Sequence, residues 1–148
     1  MHVTSTAFQQ NEQIPVEYGL AGKNSNPPLT FSEVPPEAKS LALIVEDPDA
    51  PGGVFAHWIL YNVSPAVMQV MSGELPMNAV PATNDFGDQA YAGPKPPSGM
   101  HRYVFKLFAL DKVLNTMQPT AKRKELYAAM EGHVLDQAEL TGRFTAVG

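Results

Sequence analysis

Three apolar stretches predict the central strands of the protein. Residues 40–47 (SLALIVED) are nearly all apolar, which is typical of a strand buried on both faces. Residues 54–64 (VFAHWILYNVS) are rich in aromatic and β-branched side chains. Residues 100–111 (MHRYVFKLFALD) show the two-residue alternation of side chains that is typical of a strand. The alternation predicts one inward face on the third strand, made of His101, Tyr103, Phe105, Leu107 and Ala109.

One segment, residues 120–140, has the apolar spacing of a helix. Its stripe consists of Leu126, Ala129, Met130, His133 and Val134. Thr120 follows a proline and suits the N-cap, while Gly132 inside the segment costs about 1 kcal/mol relative to alanine. We therefore predict a helix throughout this segment, with His133 packed inward, and a final strand over residues 142–148.

The order of these elements predicts a mainly β fold. Strands come first, then one helix, then a strand, which favours a β-sandwich of two packed sheets with the C-terminal helix at its periphery. Residues 65–89 contain several Pro and Gly and predict a long loop with at most one short strand. A chain of 148 residues fits a single domain spanning residues 1–148.

Composition and charge exclude several classes of protein. The net charge is -5, and no basic stripe typical of a nucleic-acid binder is visible. The chain has no cysteine, which removes disulfides, cysteine nucleophiles and Cys-zinc sites. No signal peptide and no apolar run of about 20 residues is visible, so we expect a cytoplasmic protein without a transmembrane segment.

Several polar residues lie at strand ends, and each has an ordinary structural explanation. Asp47 and Asp49 flank a proline and suit a turn. A lone His57 is more often a packed, hydrogen-bonded residue than a ligand. Alternation would place it on one face with Ile59 and put Trp58 on the other. The segment GPKPP at 93–97 is equally compatible with a rigid surface loop.

Together these residues suit a small anion pocket. If the three strands are neighbours, two aspartates, two histidines and a tyrosine converge. Protonated imidazoles and a phenol donate hydrogen bonds to an anion, and the aspartates would orient the imidazoles and raise their pKa values. We therefore expect anion affinity to fall as pH rises past the histidine pKa values. No helical or chelate spacing supports a metal site, and we expect no cofactor.

The same segments resemble the phosphatidylethanolamine-binding protein (PEBP) family, which includes Raf kinase inhibitor protein and the bacterial YbhB/YbcL-type proteins. The matching pieces include DPDAP, AHW, NDFG, AGPKPPSGMHRY and the region around 131–144, and the resemblance covers roughly residues 8–145. It implies a β-sandwich with peripheral helix and an anion pocket for phosphate, acetate or a phosphoryl head group. The pocket residues it implies are Asp47, Asp49, His57, Gly93, Pro94, His101 and Tyr103.

Two positions depart from the family pattern. Lys95 stands where the bacterial branch usually has cysteine, and Phe31 where the family usually has tryptophan. Neither removes a pocket residue, and we interpret the Lys95 ammonium as solvated.

The candidate pocket and the family resemblance lead to one predicted function and two alternatives. We predict a non-catalytic binding protein that takes a phosphoryl or carboxylate group and regulates a partner protein such as a kinase or protease. The resemblance to bacterial members also implies a homodimer. The first alternative is a hydrolase that acts on a small ester or phosphoester with His57 or His101 as base and an aspartate as orienter. The second is a structural or assembly role in which the pocket is incidental.

Overall fold

A computed structural model describes residues 1–146 of the chain. In that range the secondary structure comprises eight strands, one short 3-10 turn and one α-helix. The strands are β1 His2–Thr4, β2 Leu29–Ser32, β3 Ser40–Asp47, β4 Phe55–Val63, β5 Gln69–Val70, β6 Val80–Pro81, β7 Met100–Leu110 and β8 Val134–Thr145. The 3-10 turn is Val16–Tyr18 and the helix, α1, is Arg123–Met130.

Two antiparallel sheets build the mainly β fold that the sequence predicts. The larger has the order β6-β4-β3-β7-β8 and the smaller the order β1-β2-β5. All eight residues of β3 are buried, because its neighbours β4 and β7 cover its edges and both of its faces are packed. The predicted alternation of β7 is confirmed, since all five residues of its inward face are buried.

Apolar side chains pack on both faces of the large sheet. The inner core lies between the two sheets and contains Val45, Trp58, Phe105 and Phe31 among others. The outer core lies under α1, where Leu126 and Met130 of the helix meet sheet residues that include Ala42, Ile44, Ile59 and Phe108. No helix among residues 1–146 has the length and apolarity needed to cross a bilayer.

The predicted helix over residues 120–140 is wrong in its C-terminal half. The helix begins at Arg123, where the Glu125 carboxylate accepts the Lys122 N–H at 3.1 Å, so Thr120 is not the N-cap. It ends before Gly132, whose φ of +80° favours glycine and starts a turn. His133 therefore lies in that turn, partly exposed and bonded to Asp111, and not in the core.

The residues after this turn form β8, because β7 offers them a partner along its whole length. The register runs from Met100 opposite Thr145 to Leu110 opposite Val134. These tertiary hydrogen bonds override a local pattern that fits a helix about as well as a strand. Residues 147–148 of the predicted final strand lie outside the described residues.

A β-bulge in β4 corrects the predicted face of His57. Val45 pairs with Trp58 and Glu46 pairs with Ala56, which leaves His57 as the extra residue. The bulge shifts the alternation, so Trp58 packs in the inner core and the His57 ring contacts Tyr103 on that same face. The loop over residues 65–89 also differs from its prediction, because it contains two short strands, β5 and β6, where at most one was expected.

Candidate functional site

The candidate site lies at one end of the inner face of the large sheet. β3 runs antiparallel to both of its neighbours, so its C-terminal end lies beside the N-terminal ends of β4 and β7. Asp47 ends β3, His57 lies near the start of β4, and His101 and Tyr103 lie near the start of β7. All four side chains are buried. The fold thus brings together four of the seven residues predicted from the sequence.

Asp47 and His101 form a buried hydrogen-bonded pair. The imidazole Nδ1 donates to Asp47 Oδ2 at 2.6 Å, and Asp47 Oδ1 accepts the Asp49 N–H at 2.8 Å. A carboxylate can only accept, so the proton between the two groups is carried by Nδ1. This arrangement orients the ring and leaves Nε2 of His101 for another partner.

His57 is held by the loop that precedes β7 and by a collar of aromatic rings. Its Nδ1–H donates to the Ala92 carbonyl at 2.7 Å, which again leaves Nε2 for a ligand. The rings of Phe55, Tyr103 and Phe86 lie 5.2, 5.2 and 5.5 Å from the imidazole, centroid to centroid.

Burial lowers the pKa of His57, although the Ala92 carbonyl and the charge of Asp47 act in the opposite direction. Asp47 therefore acts on the His57 pKa in the expected direction, but the expectation of a raised pKa is wrong for His57 because burial has the larger effect. The physical reason is that burial among the rings costs the imidazolium more hydration free energy than its attraction to the Asp47 carboxylate returns.

The Tyr103 hydroxyl is one of two buried side-chain groups without a hydrogen-bond partner among the described residues, and Trp58 Nε1 is the other. The residue is 1% exposed, and its hydroxyl makes no hydrogen bond of standard geometry to any of the described residues, although the Asp47 carboxylate and the Lys95 backbone lie near it. Buried polar atoms in native proteins are nearly always paired, so an orphan in the middle of a polar cluster is informative. Burial and the nearby charge of Asp47 raise the pKa of Tyr103, which keeps the phenol protonated as a donor.

Asp49 lies at the edge of this cluster and binds Arg102. Its carboxylate accepts the backbone N–H of Arg102 at 2.8 Å and the guanidinium Nε and Nη2 at 3.0 and 2.8 Å. These bonds lower the pKa of Asp49 to about 2. Only Asp47 therefore orients an imidazole, and Asp49 neutralises the one cationic side chain next to it on the β7 strand.

Gly93 and Pro94 form a wall beside His57. The Gly93 N–H donates to Asn24 Oδ1 at 2.7 Å, and the Pro94 carbonyl accepts the Leu20 N–H at 3.0 Å. A side chain at Gly93 would collide with the backbone of Tyr18 and Gly19, so close packing of the chain on itself explains this glycine. Its contact with a ligand stays a prediction.

A groove borders Pro94. Its volume is about 850 Å³, and Pro94 and Lys95 contribute to its lining together with Gly19, Gly22 and Phe144. Lys95 is exposed there.

Sequence reasoning missed the aromatic collar and its support. Phe55 and Phe86 flank His57, with 4.7 Å between their own ring centroids. Asn84 is completely buried and holds the turn that carries Phe86. The available signal was the motif NDFG, since Asn, Asp and Gly favour tight turns. No cluster of three or more metal-binding side chains occurs within residues 1–146.

Comparisons with known proteins identify the family to which this fold and cluster correspond. The profile of the family "Phosphatidylethanolamine-binding protein" matches residues 4–145. The chain belongs to that family. Among curated proteins, a UPF0098 protein of Methanothermobacter thermautotrophicus is 45% identical, and the match covers 97% of this chain and 98% of that one.

Solved structures agree with this assignment. A phosphatidylethanolamine-binding protein homologue from Chlamydia trachomatis superimposes with a TM-score of 0.93 at 42% identity, covering 99% of this chain and 97% of that one. YbcL of E. coli, described as a member of the mammalian PEBP family, gives a TM-score of 0.92 at 30% identity, covering 99% of this chain and 98% of YbcL. The resemblance to the PEBP family and the sandwich fold predicted from the sequence are both confirmed.

Proposed function

We propose that the chain is a non-catalytic binding protein whose site takes a small anion, namely a phosphoryl group or a carboxylate. One observation carries this proposal: the buried Tyr103 hydroxyl has no partner among the described residues, yet it lies within a cluster of polar side chains. An unpaired buried hydroxyl costs about 1–3 kcal/mol, and a bound anion would remove that cost.

The two imidazoles supply the other donors. Nδ1 is already engaged in both His57 and His101, so a ligand meets Nε2 in each case. Nε2 donates a hydrogen bond only when the ring is protonated. Because the pKa of His57 is lowered, anion binding would draw a proton onto this ring from solution. The anion thus enters with a proton, and Asp47 orients the second imidazole through its hydrogen bond to Nδ1.

Calorimetric titration with methyl phosphate and with acetate tests this proposal. Tyr103→Phe removes one hydrogen bond to a charged ligand and should weaken binding about tenfold or more. Tyr61→Phe is a matched control, because its hydroxyl bonds to the Met117 carbonyl at the outer face, and it should leave the affinity unchanged. Absence of binding by the native protein, or equal weakening by both variants, would contradict the proposal.

A second candidate function is hydrolysis of a small ester or phosphoester. The observation that favours it is the Asp47–His101 pair, which has the form of a general base with an orienting carboxylate. Against it, Ser98 is exposed and makes no hydrogen bond to either imidazole within the described residues. Turnover of p-nitrophenyl acetate or p-nitrophenyl phosphate that disappears in folded His101→Ala would favour hydrolysis. The binding function predicts no such turnover.

The proposal extends to partners only through the family. Regulation of a kinase or protease and self-association as a homodimer are properties that the resemblance implies, and the support for a cytoplasmic location is the cysteine-free composition. Equilibrium sedimentation of the purified protein tests the dimer: a single species of 16.0 kDa at high concentration would contradict it.

A further inference from the structure

An exposed phenylalanine beside the site is held by an unusually well-bonded turn. Asn84 is fully buried, and its Oδ1 accepts the N–H groups of Phe86 and Asp88 at 2.9 and 3.0 Å. Its Nδ2 donates to the Ala90 carbonyl at 2.8 Å. Gly87 completes the turn with a φ of +92°. The backbone around Phe86 is therefore fixed without any contribution from the phenyl ring.

A second set of bonds fixes this turn to the strand that carries His57. The Asp85 carboxylate accepts the Ala56 N–H at 2.7 Å, and the Asp85 N–H donates to the Ala56 carbonyl at 2.9 Å. Residues 85 and 56 are thus bonded in both directions. The turn consequently holds Phe86 at a defined position next to the imidazole.

The phenyl ring of Phe86 is only half buried by contacts within the protein. It meets the rings of Phe55 and His57 edge-on, at interplanar angles of 69° and 76°, and the residue remains 46% exposed. A large aromatic side chain gains from burial, so a rigid turn that leaves it half exposed does not serve folding alone. About half of the residue's surface is therefore left uncovered beside the His57 ring.

Two further apolar side chains begin the strands that carry the imidazoles. Val54 immediately precedes β4 and Met100 starts β7, and they are 43% and 45% exposed. The polar cluster at this end of the sheet is therefore accompanied by exposed apolar side chains from three separate segments. By the alternation of β7, Met100 belongs to the face opposite His101, so Phe86 is the exposed apolar side chain with a contact to an imidazole of the site.

We propose that Phe86 is a specificity-determining residue that selects anions attached to an aryl group, such as aryl phosphates or aryl carboxylates, over the bare anion. This inference rests on the proposed anion-binding function and names its ligand class. An aryl group suits the position better than an alkyl chain, because aromatic pairs gain from edge-to-face or offset contact in addition to the area they bury.

The test compares the affinities of four ligands: inorganic phosphate, methyl phosphate, cyclohexyl phosphate and phenyl phosphate. For the native protein we expect phenyl phosphate to bind about tenfold more tightly than methyl phosphate and several-fold more tightly than cyclohexyl phosphate. In Phe86→Leu, which keeps apolar bulk, the preference for phenyl over cyclohexyl should disappear. Phe86→Tyr, which keeps the ring, should retain it.

Two controls keep the result interpretable. Leu75→Ala alters a comparably exposed apolar side chain away from the site and should leave all four affinities unchanged. The ratio of phenyl phosphate affinity to methyl phosphate affinity is compared between Phe86→Leu and the native protein, because this ratio cancels any effect of the substitution on the anion site that both ligands share. An unchanged ratio in Phe86→Leu would overturn the assignment.

The failures of the two proposals are distinguishable. Binding of methyl phosphate without any gain for phenyl phosphate, or an equal gain for cyclohexyl phosphate, would overturn the role of Phe86 and leave the anion site intact. A gain for phenyl phosphate that survives Phe86→Leu would do the same. Absence of binding by all four compounds would overturn the anion site, and the specificity with it.

Discussion

Two neighbouring carboxylates of β3, Glu46 and Asp47, lie on opposite faces of the same sheet and in opposite situations. Glu46 is buried under α1, and its carboxylate accepts from Lys106 Nζ at 2.8 Å, from the Arg123 guanidinium and from the Tyr127 hydroxyl at 3.1 Å. Asp47 is equally buried, but its cluster contains an unpaired hydroxyl and two imidazoles with one uncommitted nitrogen each.

The two clusters differ in role: the Glu46 cluster stabilises the fold, and the Asp47 cluster is the proposed binding site. Burial alone would raise the pKa of Glu46, but the bonds and charges of Arg123 and Lys106 lower it, so its cluster is complete as it stands. That cluster attaches the helix to the sheet and has no capacity for a ligand. The Asp47 cluster contains an unpaired hydroxyl, which the proposed anion would pair.

The largest effect is expected at the complete cluster. Glu46→Gln leaves Lys106 and Arg123 without a buried anion, and we expect a loss of about 3 kcal/mol in the free energy of unfolding. This value is at the low end for a buried pair, because both cations are partly exposed and can reach water. Urea denaturation measures it, and anion affinity of the folded variant should be unchanged. A loss no greater than that in Asp111→Asn, a surface pair, would contradict this account.

The next effect is a dependence of stability on pH through His57. Its folded pKa lies below the unfolded value of about 6.5, so between these values the unfolded chain binds more protons. Stability should therefore hold above about pH 6.5 and fall below it, by up to about 1.4 kcal/mol per pH unit for one group.

Urea denaturation of the native protein and of His57→Asn, in buffers without phosphate or carboxylate, isolates this contribution. The asparagine can keep the donor to the Ala92 carbonyl, and the other histidines are common to both proteins. The free energy of unfolding should change less steeply with pH in the variant than in the native protein. Equal slopes would show that burial does not lower the pKa of His57.

A smaller effect of opposite sign is expected at Tyr103. Tyr103→Phe removes a buried hydroxyl that has no partner in the described structure, so stability should be unchanged or higher by about 1 kcal/mol, although ligand affinity falls. Thermal or chemical unfolding of the ligand-free protein measures this. A clear loss of stability would indicate that the hydroxyl already contributes a hydrogen bond to the fold.

The smallest effect is expected at Asp49. Its ion pair with Arg102 is partly exposed to solvent on both sides, and Asp49→Asn should cost at most about 1 kcal/mol. Anion affinity should change by less than about twofold, because the Arg102 charge left unpaired is more than half exposed and is screened by solvent and salt. An effect on affinity as large as that of Tyr103→Phe would place Asp49 within the site.

Much of the site could be predicted because its residues lie at the ends of strongly patterned strands. The long apolar runs determine β3, β4 and β7. Antiparallel pairing then brings Asp47, His101 and Tyr103 together. His57, the single histidine of β4, is predicted at the same end of the sheet for the same reason. The bulge that turns it inward has no clear signal in the local sequence.

The rest depended on contacts distant in sequence. Residues 134–140 fit a helix until β7 supplies a hydrogen-bonding partner, and no local pattern contains that information. The position of Phe86 depends on the burial of Asn84 and on the bonds between Asp85 and Ala56, across 29 residues. Phe86 therefore lies beside His57 only because this turn holds it there, and no local sequence pattern predicts that position.

The central claim, that an incomplete cluster around Asp47 binds an anion together with a proton, is tested most directly by titration with sulfate. Its charge is constant across the range in which histidines titrate. Calorimetry at about pH 5.5 and about pH 8.5 should give an affinity at least about tenfold weaker at the higher pH, with proton uptake visible as a dependence of the measured heat on the buffer. Equal affinities at the two pH values, with no proton uptake, would contradict the account.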